Sequence, residues 1–130
     1  MRVRILFDSH ALVWYLTGDR RLSRRARDIG DDVTSEVFVS AVCAWEIATK
    51  VNRGRWPEAA SVVASLQDIT QAGAFTPLPI TIEHARFAGL LAGRHYDPFD
   101  RMLAAQSQLE NLPLVTTDPA FRVFGTEVGW

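Results

Sequence analysis

The sequence is poor in cysteine and in long apolar runs. Its 130 residues include one cysteine, Cys43, which excludes an intrachain disulfide framework and a cysteine-rich zinc site. Cys43 lies in an apolar helical run, so we expect a core side chain and not a nucleophile. The first apolar run, in MRVRILFDSH, is far shorter than a signal peptide or a membrane span requires. We therefore expect a cytoplasmic protein that makes no membrane contact.

The chain also lacks an excess of charge of either sign. Its net charge is −1, so overall electrostatics do not indicate a nucleic-acid-binding protein. Several arginines nevertheless lie close together in DRRLSRRARD. A solvated helix face explains such a cluster and is favoured over the alternative, a phosphate-binding patch.

Short apolar segments alternate with helical segments along the chain. Residues 1–130 contain no repeat, linker or low-complexity tract, so we expect one domain. The alternation predicts an α/β fold with a mostly parallel β-sheet of four to five strands, sandwiched by helices. The expected strands are 3–7, 37–40, an edge strand within 75–80, 113–118, and a short last strand within 126–130. Helices are expected to begin after the N-cap residues Ser23, Ser40 and Thr81.

The segment HYDPFDRMLAAQ contains two aspartates near a predicted helix start. Pro98 suits the first helical position, which makes Asp97 the N-cap and Asp100 the third helical residue. Asp97 shares a helix face with Asp100, so it is also a candidate for the outer shell of a site. Arg101 is expected either to pair with Asp97, which we favour, or to contact a substrate phosphate.

Three acids are expected to meet at one edge of the sheet. Asp8 directly follows the first strand, and Asp118 ends the PLVTTD segment. Asp100 lies in the first turn of the helix that precedes this later strand, and such a helix runs antiparallel to its strand. The carboxyl ends of parallel strands are where α/β proteins bind ligands, so the three acids predict a site there.

Glu46 is a fourth candidate for the same site. It is the only charged residue in AVCAWEIA, within the helix that follows the second strand. An i,i+4 pair with Lys50 would account for it at a gain of only a few tenths of a kcal/mol, about 0.2–0.5. A functional role explains it equally well, because a carboxylate in an apolar run needs a cation.

Taken together, the four acids predict a divalent metal site. Two carboxylates about 4–5 Å apart repel each other by roughly 3–4 kcal/mol at an effective dielectric constant near 20, so a cluster needs cations or protons. Oxygen ligands without a cysteine pair, or a histidine pair at metal spacing, favour Mg²⁺ or Mn²⁺ over zinc. Such sites act on phosphates, where metal ions activate water and stabilise the leaving oxygen.

Four segments in order resemble the motifs of the PIN-domain ribonucleases, specifically the VapC-like toxins of prokaryotic toxin–antitoxin pairs. The segments are LFDSHALVWYL, VSAVCAWEIATK, HYDPFDRMLAAQ and LVTTDPAF. The resemblance implies a PIN-like fold and metal ligation by Asp8, Glu46, Asp100 and Asp118, the last being the more variable position. It also implies supporting hydroxyl groups from Ser9 and from Thr116 or Thr117.

The same resemblance implies an activity and partners. The expected activity is an Mg²⁺- or Mn²⁺-dependent endoribonuclease that hydrolyses RNA phosphodiester bonds without a covalent intermediate. The expected partners are an RNA substrate, a small antitoxin protein and a second copy of the chain in a homodimer. The tryptophans are expected mainly in the core, although Trp56 in the loop GRWPE is a candidate for partner contact.

Two other readings belong to a different class, that of binding modules. A receiver-like Mg²⁺ module would need an acidic pair after its first strand and a lysine after its last, whereas this chain has FDSH and only Lys50. A PIN-fold protein that binds metal, RNA or a partner without cutting RNA is the other alternative. DNA also remains open as the substrate of a nuclease, because the near-neutral charge does not distinguish it from RNA.

Overall fold

The secondary structure follows the predicted alternation of strands and helices. The structure, a computed structural model, describes residues 3–93, 97–118, 121 and 128–129, so His95 lies outside it. The elements are β1 (Arg4–Phe7), α1 (Ser9–Thr17), α2 (Arg24–Asp31), β2 (Glu36–Ser40), α3 (Ala41–Asn52), a short 3-10 helix (Pro57–Ala59), α4 (Ala60–Gln71), β3 (Thr76–Leu78), α5 (Ile82–Leu90), α6 (Pro98–Glu110), β4 (Leu114–Val115) and β5 (Val128–Gly129).

The strands form one parallel sheet in the order β3-β2-β1-β4-β5. Leu6 in β1 is aligned with Phe38 on one side and with Leu114 on the other. The predicted edge strand is β3, where Pro77 is tolerated because an edge strand can lack one N–H donor. The expected α/β fold is confirmed, and β1 lies at the centre of the sheet.

Both faces of the sheet are covered, as the sequence predicts for parallel strands. Ile5 and Phe7 belong to one buried apolar cluster, which includes side chains of α1, α2 and α4. Leu6, which points to the opposite face, belongs to a second cluster that includes side chains of α6. Cys43 lies in this second cluster, where burial raises the pKa of its thiol to about 12, so it is a core residue as predicted.

Helix caps fix where the helices begin and end. The predicted N-caps Ser23, Ser40, Thr81 and Asp97 each accept a hydrogen bond from a backbone N–H in the first turn. Asp8 also caps a helix, α1, by accepting a hydrogen bond from the Ala11 N–H at 2.7 Å. Gly18 ends that helix with φ of 69°, a conformation in which glycine avoids side-chain strain.

Two tryptophans differ from their predicted exposure: Trp56 is buried and Trp45 is exposed. Trp56 is 6% exposed and packs in the first apolar cluster, so it is not an exposed partner contact. Trp45 is instead 58% exposed, although its ring contacts Phe99. Within the described part of the chain, no helix is long and apolar enough to cross a membrane.

Gln106 connects the two helices that carry Glu46 and Asp100. Its buried amide accepts a hydrogen bond from the hydroxyl of Ser40, the residue that caps α3. The amide nitrogen donates to the Pro79 carbonyl at 3.3 Å. This side chain therefore ties α6 to the start of α3 and to the segment after β3.

Replacing Gln106 with leucine is expected to destabilise the fold. The change leaves the Ser40 hydroxyl and the Pro79 carbonyl without this partner, at a cost of about 2–3 kcal/mol in the free energy of unfolding. Urea denaturation measures the effect. Gln67→Leu on the exposed surface of α4 is the matched control and should change stability by less than about 0.5 kcal/mol. Equal effects of the two substitutions would contradict the role given to Gln106.

Candidate active site

A cavity of about 100 Å³ lies at the carboxyl edge of the sheet, where β1 ends and α6 begins. It contains all four acids that the sequence motifs single out, together with Asp97. The lining residues are Asp8, Ser9, His10, Glu46, Lys50, Asp97, Asp100, Leu103, Asp118 and Phe121. The fold therefore brings together carboxylates that are up to 110 positions apart in the chain (8 to 118).

Asp8 is the most deeply buried of these aspartates, with 6% of its surface exposed. Burial raises the pKa of its carboxyl from 3.8 to about 7. Hydrogen bonds with Thr116 and with the Ala11 N–H oppose that rise, whereas the negative charges of Glu46 and Asp100 add to it. The site thus holds a carboxyl group that is costly to ionise unless a cation is nearby.

Glu46 has both of its carboxylate oxygens engaged. Ser9 Oγ donates to Oε1 at 2.6 Å, and Lys50 Nζ lies 2.7 Å from Oε2. The i,i+4 pair with Lys50 is therefore present, and Glu46 also lines the acid cavity, whereas its functional role stays a prediction. Ser9, a candidate for a supporting role, is therefore in direct contact with one of the four acids.

The two aspartates of HYDPFDRMLAAQ have different positions at the start of α6. Asp97 accepts hydrogen bonds from the N–H groups of Phe99 and Asp100, at 2.9 and 3.1 Å, and is the predicted N-cap. Asp100 follows at the third helical position and lines the cavity. Asp97 lines the same cavity, so its backbone role does not remove it from the site.

The threonines before Asp118 also differ from each other. Thr116 is buried, hydrogen-bonds to the Asp8 carboxyl, and accepts a hydrogen bond from the Asp118 N–H at 3.0 Å. Thr117 is exposed. Of the two candidates for the supporting hydroxyl, Thr116 is the one in contact with the acids.

Arg101 does not make the favoured contact with Asp97 among the described residues. Its guanidinium instead donates to the carbonyls of Ala88 and Leu91, at 3.1 and 2.6 Å, near the end of α5. The end of a helix has unpaired carbonyl groups and a partial negative charge, which explains why a guanidinium binds there. Sequence spacing alone could not reveal this contact, because it joins two helices.

The carboxylates of the cavity outnumber its cations. Lys50 is the only lysine or arginine among the described lining residues, against five acids. In the arrangement that the structure describes, no three histidine, cysteine, aspartate or glutamate side chains are grouped to hold a metal ion. The donor types suit a hard divalent cation, and Lys50 now supplies part of the charge compensation at Glu46.

His10, for which the sequence favours a structural hydrogen bond over a contact with a phosphate near Asp8, lines the cavity. The ring lies 4.6 Å from the Trp56 indole and 5.6 Å from that of Trp14, measured between ring centroids. Desolvation and the nearby Lys50 lower its pKa. The sequence gives little indication that His10 packs against Trp56, because α2, β2 and α3 separate the two residues along the chain.

A five-stranded parallel sheet with carboxylates collected at its carboxyl edge is the architecture that the sequence motifs predict. The profile of the PIN domain family matches residues 5–126. The chain therefore belongs to the PIN domain family, and the family predicted from the four motifs is confirmed. No curated protein matches the chain significantly.

Solved structures of toxin–antitoxin complexes contain chains with the same fold. The chain is 13% identical to one in VapBC2 from Rickettsia felis bound to a promoter DNA fragment, with a TM-score of 0.69 over 98% of this chain and 99% of that one. For FitAcB from Neisseria gonorrhoeae the identity is 19%, the TM-score 0.61 and the coverage 95% of each chain. For a chain in a toxin–antitoxin complex from Klebsiella pneumoniae, the identity is 17% and the TM-score 0.56, over 88% of this chain and 86% of that one. At such low identity these similarities show a shared fold alone.

Proposed function

We propose that the acid-lined cavity is the active site of an endoribonuclease that depends on Mg²⁺ or Mn²⁺. The observation that carries this proposal is the meeting of Asp8, Glu46, Asp100 and Asp118 in one cavity of a PIN-domain chain. Members of the PIN domain family are generally nucleases. The reaction proposed here is hydrolysis of an RNA phosphodiester bond that leaves 5′-phosphate and 3′-hydroxyl ends.

The four acids would hold the metal. Their oxygen donors and the raised pKa of Asp8 fit a hard cation, which would remove the cost of ionising that carboxyl. The proposal includes a rearrangement of side chains on binding, in which Glu46 exchanges its contact with Lys50 for one with the metal. A bound Mg²⁺ or Mn²⁺ would supply charge stabilisation for the reacting phosphate and activate a water molecule.

Other side chains of the cavity orient the acids. Ser9 holds one oxygen of Glu46, and Thr116 holds the Asp8 carboxyl beside the Asp118 backbone. Leu103 and Phe121 are buried apolar residues in the lining, and both also belong to the second core cluster. Asp97 fixes the first turn of α6 and thereby the position of Asp100.

We further propose that the protein is the toxin of a toxin–antitoxin pair, acts in the cytoplasm, and is inhibited by a small antitoxin. The shared fold with chains from several toxin–antitoxin complexes supports this partner. The homodimer that the motifs imply belongs to the same proposal, and sedimentation equilibrium tests it. Dissociation to monomers at micromolar concentration would contradict the dimer.

Incubation of the purified protein with a pool of structured RNAs tests the nuclease. Cleavage is expected with Mg²⁺ or Mn²⁺, and EDTA should abolish it because the acids alone repel a phosphate. A matched pool of DNA shows whether the substrate class is RNA. Mutants of the acids, described in the Discussion, distinguish this activity from a contaminating nuclease.

The alternative of a binding-only PIN protein predicts a different result. Folded protein would then bind Mn²⁺ and RNA but would cut no member of the pool under any metal condition. The receiver-like alternative has no support, because the family match is to the PIN domain. Absence of cleavage across varied RNAs would therefore favour the binding-only alternative.

A further inference from the structure

A second cavity, of about 320 Å³, adjoins the acid cavity. The two share His10 and Lys50 in their linings, so they lie side by side. We call the second cavity the basic groove; its lining residues are His10, Trp14, Arg21, Lys50, Arg55, Trp56 and Glu58. Its charged residues are three cations and one acid, the reverse of the balance in the acid cavity.

The cations of the basic groove are accessible. The side chain of Arg21 is 59% exposed, and its guanidinium lies 4.9 Å from the Trp14 ring centroid while pairing with Asp19 at 2.8 Å. Arg55 is exposed, and among the described residues its guanidinium makes no ion pair or side-chain hydrogen bond. Arg55 is therefore the cation that can bind a phosphate without first breaking a contact.

Aromatic rings form the floor between these cations. The exposed His10 ring lies against the Trp56 indole, with centroids 4.6 Å apart and an interplanar angle of 35°. Lys50 Nζ lies 5.8 Å from the same indole centroid. Cations alternating with aromatic rings are typical of surfaces that bind single-stranded nucleic acid, where phosphates meet the cations and bases stack on the rings.

We propose that the basic groove binds the part of a single-stranded RNA that lies next to the cleaved bond, with a phosphate on Arg55 and a base on His10. This inference rests on the proposed ribonuclease function and names the path of its substrate. The RNA strand is favoured over a protein segment because the groove has an excess of cations and continues into the cavity where a phosphodiester would react. Arg21 would add a second, weaker phosphate contact because Asp19 competes for it.

Binding of a fluorescent single-stranded RNA octanucleotide in EDTA tests the groove without requiring cleavage. Arg55→Gln is expected to weaken binding about tenfold and to reduce the slope of log K against log salt concentration by about 0.7. Arg55→Lys should keep the salt slope of the wild type, because it retains the charge. Arg86→Gln on the exposed side of α5 is the matched control and should change neither quantity.

Cleavage kinetics separate the groove from the active site. Arg55→Gln is expected to raise KM by about tenfold with little change in kcat, since Arg55 lies outside the acid cavity. If Arg55→Gln loses RNA binding while the other proteins keep it, and none of them, including the wild type, cleaves RNA, the groove proposal stands and the nuclease proposal fails. Normal RNA binding and KM in Arg55→Gln would overturn the groove, and weakened binding of an antitoxin by that variant would then assign the groove to a protein partner.

Discussion

Asp8→Asn is expected to abolish RNA cleavage and, at neutral pH without metal, to make the protein more stable. Asparagine retains the oxygen that accepts the Ala11 N–H, so the cap of α1 persists. It lacks the negative charge that a divalent cation requires, and loss of that ligand should lower kcat by a factor of about a hundred or more. Loss of activity with a gain of stability is typical of a buried charge that is needed for function but lowers the free energy of unfolding.

The stability gain should depend on pH in a defined way. The pKa of Asp8 is about 7 in the folded protein and 3.8 without the effects of the fold. Between these values the folded state binds more protons than the unfolded state, so the free energy of unfolding falls as pH rises. Above pH 7 the carboxyl is ionised in both states, and its raised pKa then lowers the free energy of unfolding by about 4 kcal/mol at most. Below pH 4 both states are protonated and the penalty disappears.

Urea denaturation of the wild type and Asp8→Asn in EDTA measures this dependence. We expect the mutant to be more stable by about 1–3 kcal/mol near pH 8 and equal to the wild type near pH 4. Asp8→Ala serves as the comparison, because it removes both the charge and the cap and should gain less by about 1 kcal/mol. A mutant that is less stable than the wild type at pH 8 would contradict the electrostatic cost assigned to Asp8.

The second large effect distinguishes the two aspartates at the start of α6. Asp100→Asn is expected to reduce cleavage about a hundredfold or more, because the lost charge is proposed to bind the metal. Asp97→Asn should retain cleavage within about threefold, because asparagine caps helices as well as aspartate does. The pair is matched, since both changes replace a carboxylate of the same cavity by an amide three positions apart.

Stability measurements show whether these effects arise from folding. Asp100→Asn removes a charge that raises the pKa of Asp8, so relief of repulsion should offset the weaker interaction with the helix dipole. Asp97→Ala should lower the free energy of unfolding by about 1 kcal/mol through loss of two hydrogen bonds at the cap. Activity that follows stability across these variants would argue against a specific role for Asp100.

Much of the fold follows from local features of the sequence. The β1 and β2 segments are apolar runs that end at a polar residue, and Ser40 and Asp97 cap helices as their side chains predict. Parallel pairing then requires that the carboxyl ends meet, which explains why Asp8 and Asp118 could be assigned to one edge. These predictions succeeded because each depends on a short stretch of chain plus one rule of topology.

Features that depend on packing between distant segments could not be predicted. Arg101 binds the end of α5, and Trp56 packs against α1 beside His10, although neither partner is near in sequence. The sequence also offers two explanations of Glu46, and the structure contains the ion pair with Lys50 together with a hydrogen bond from Ser9, a residue 37 positions away. The partners of these side chains depend on the direction in which each side chain points in the folded protein, which residue type does not determine.

The active site is tested most directly by RNA cleavage with the wild type, Asp100→Asn and Asp97→Asn, each in Mg²⁺, Mn²⁺ or EDTA. Metal-dependent cleavage is expected from the wild type and from Asp97→Asn, with a loss of about a hundredfold or more in Asp100→Asn. Equal cleavage by the wild type and Asp100→Asn would contradict the assignment of the acid cavity as a metal-dependent active site.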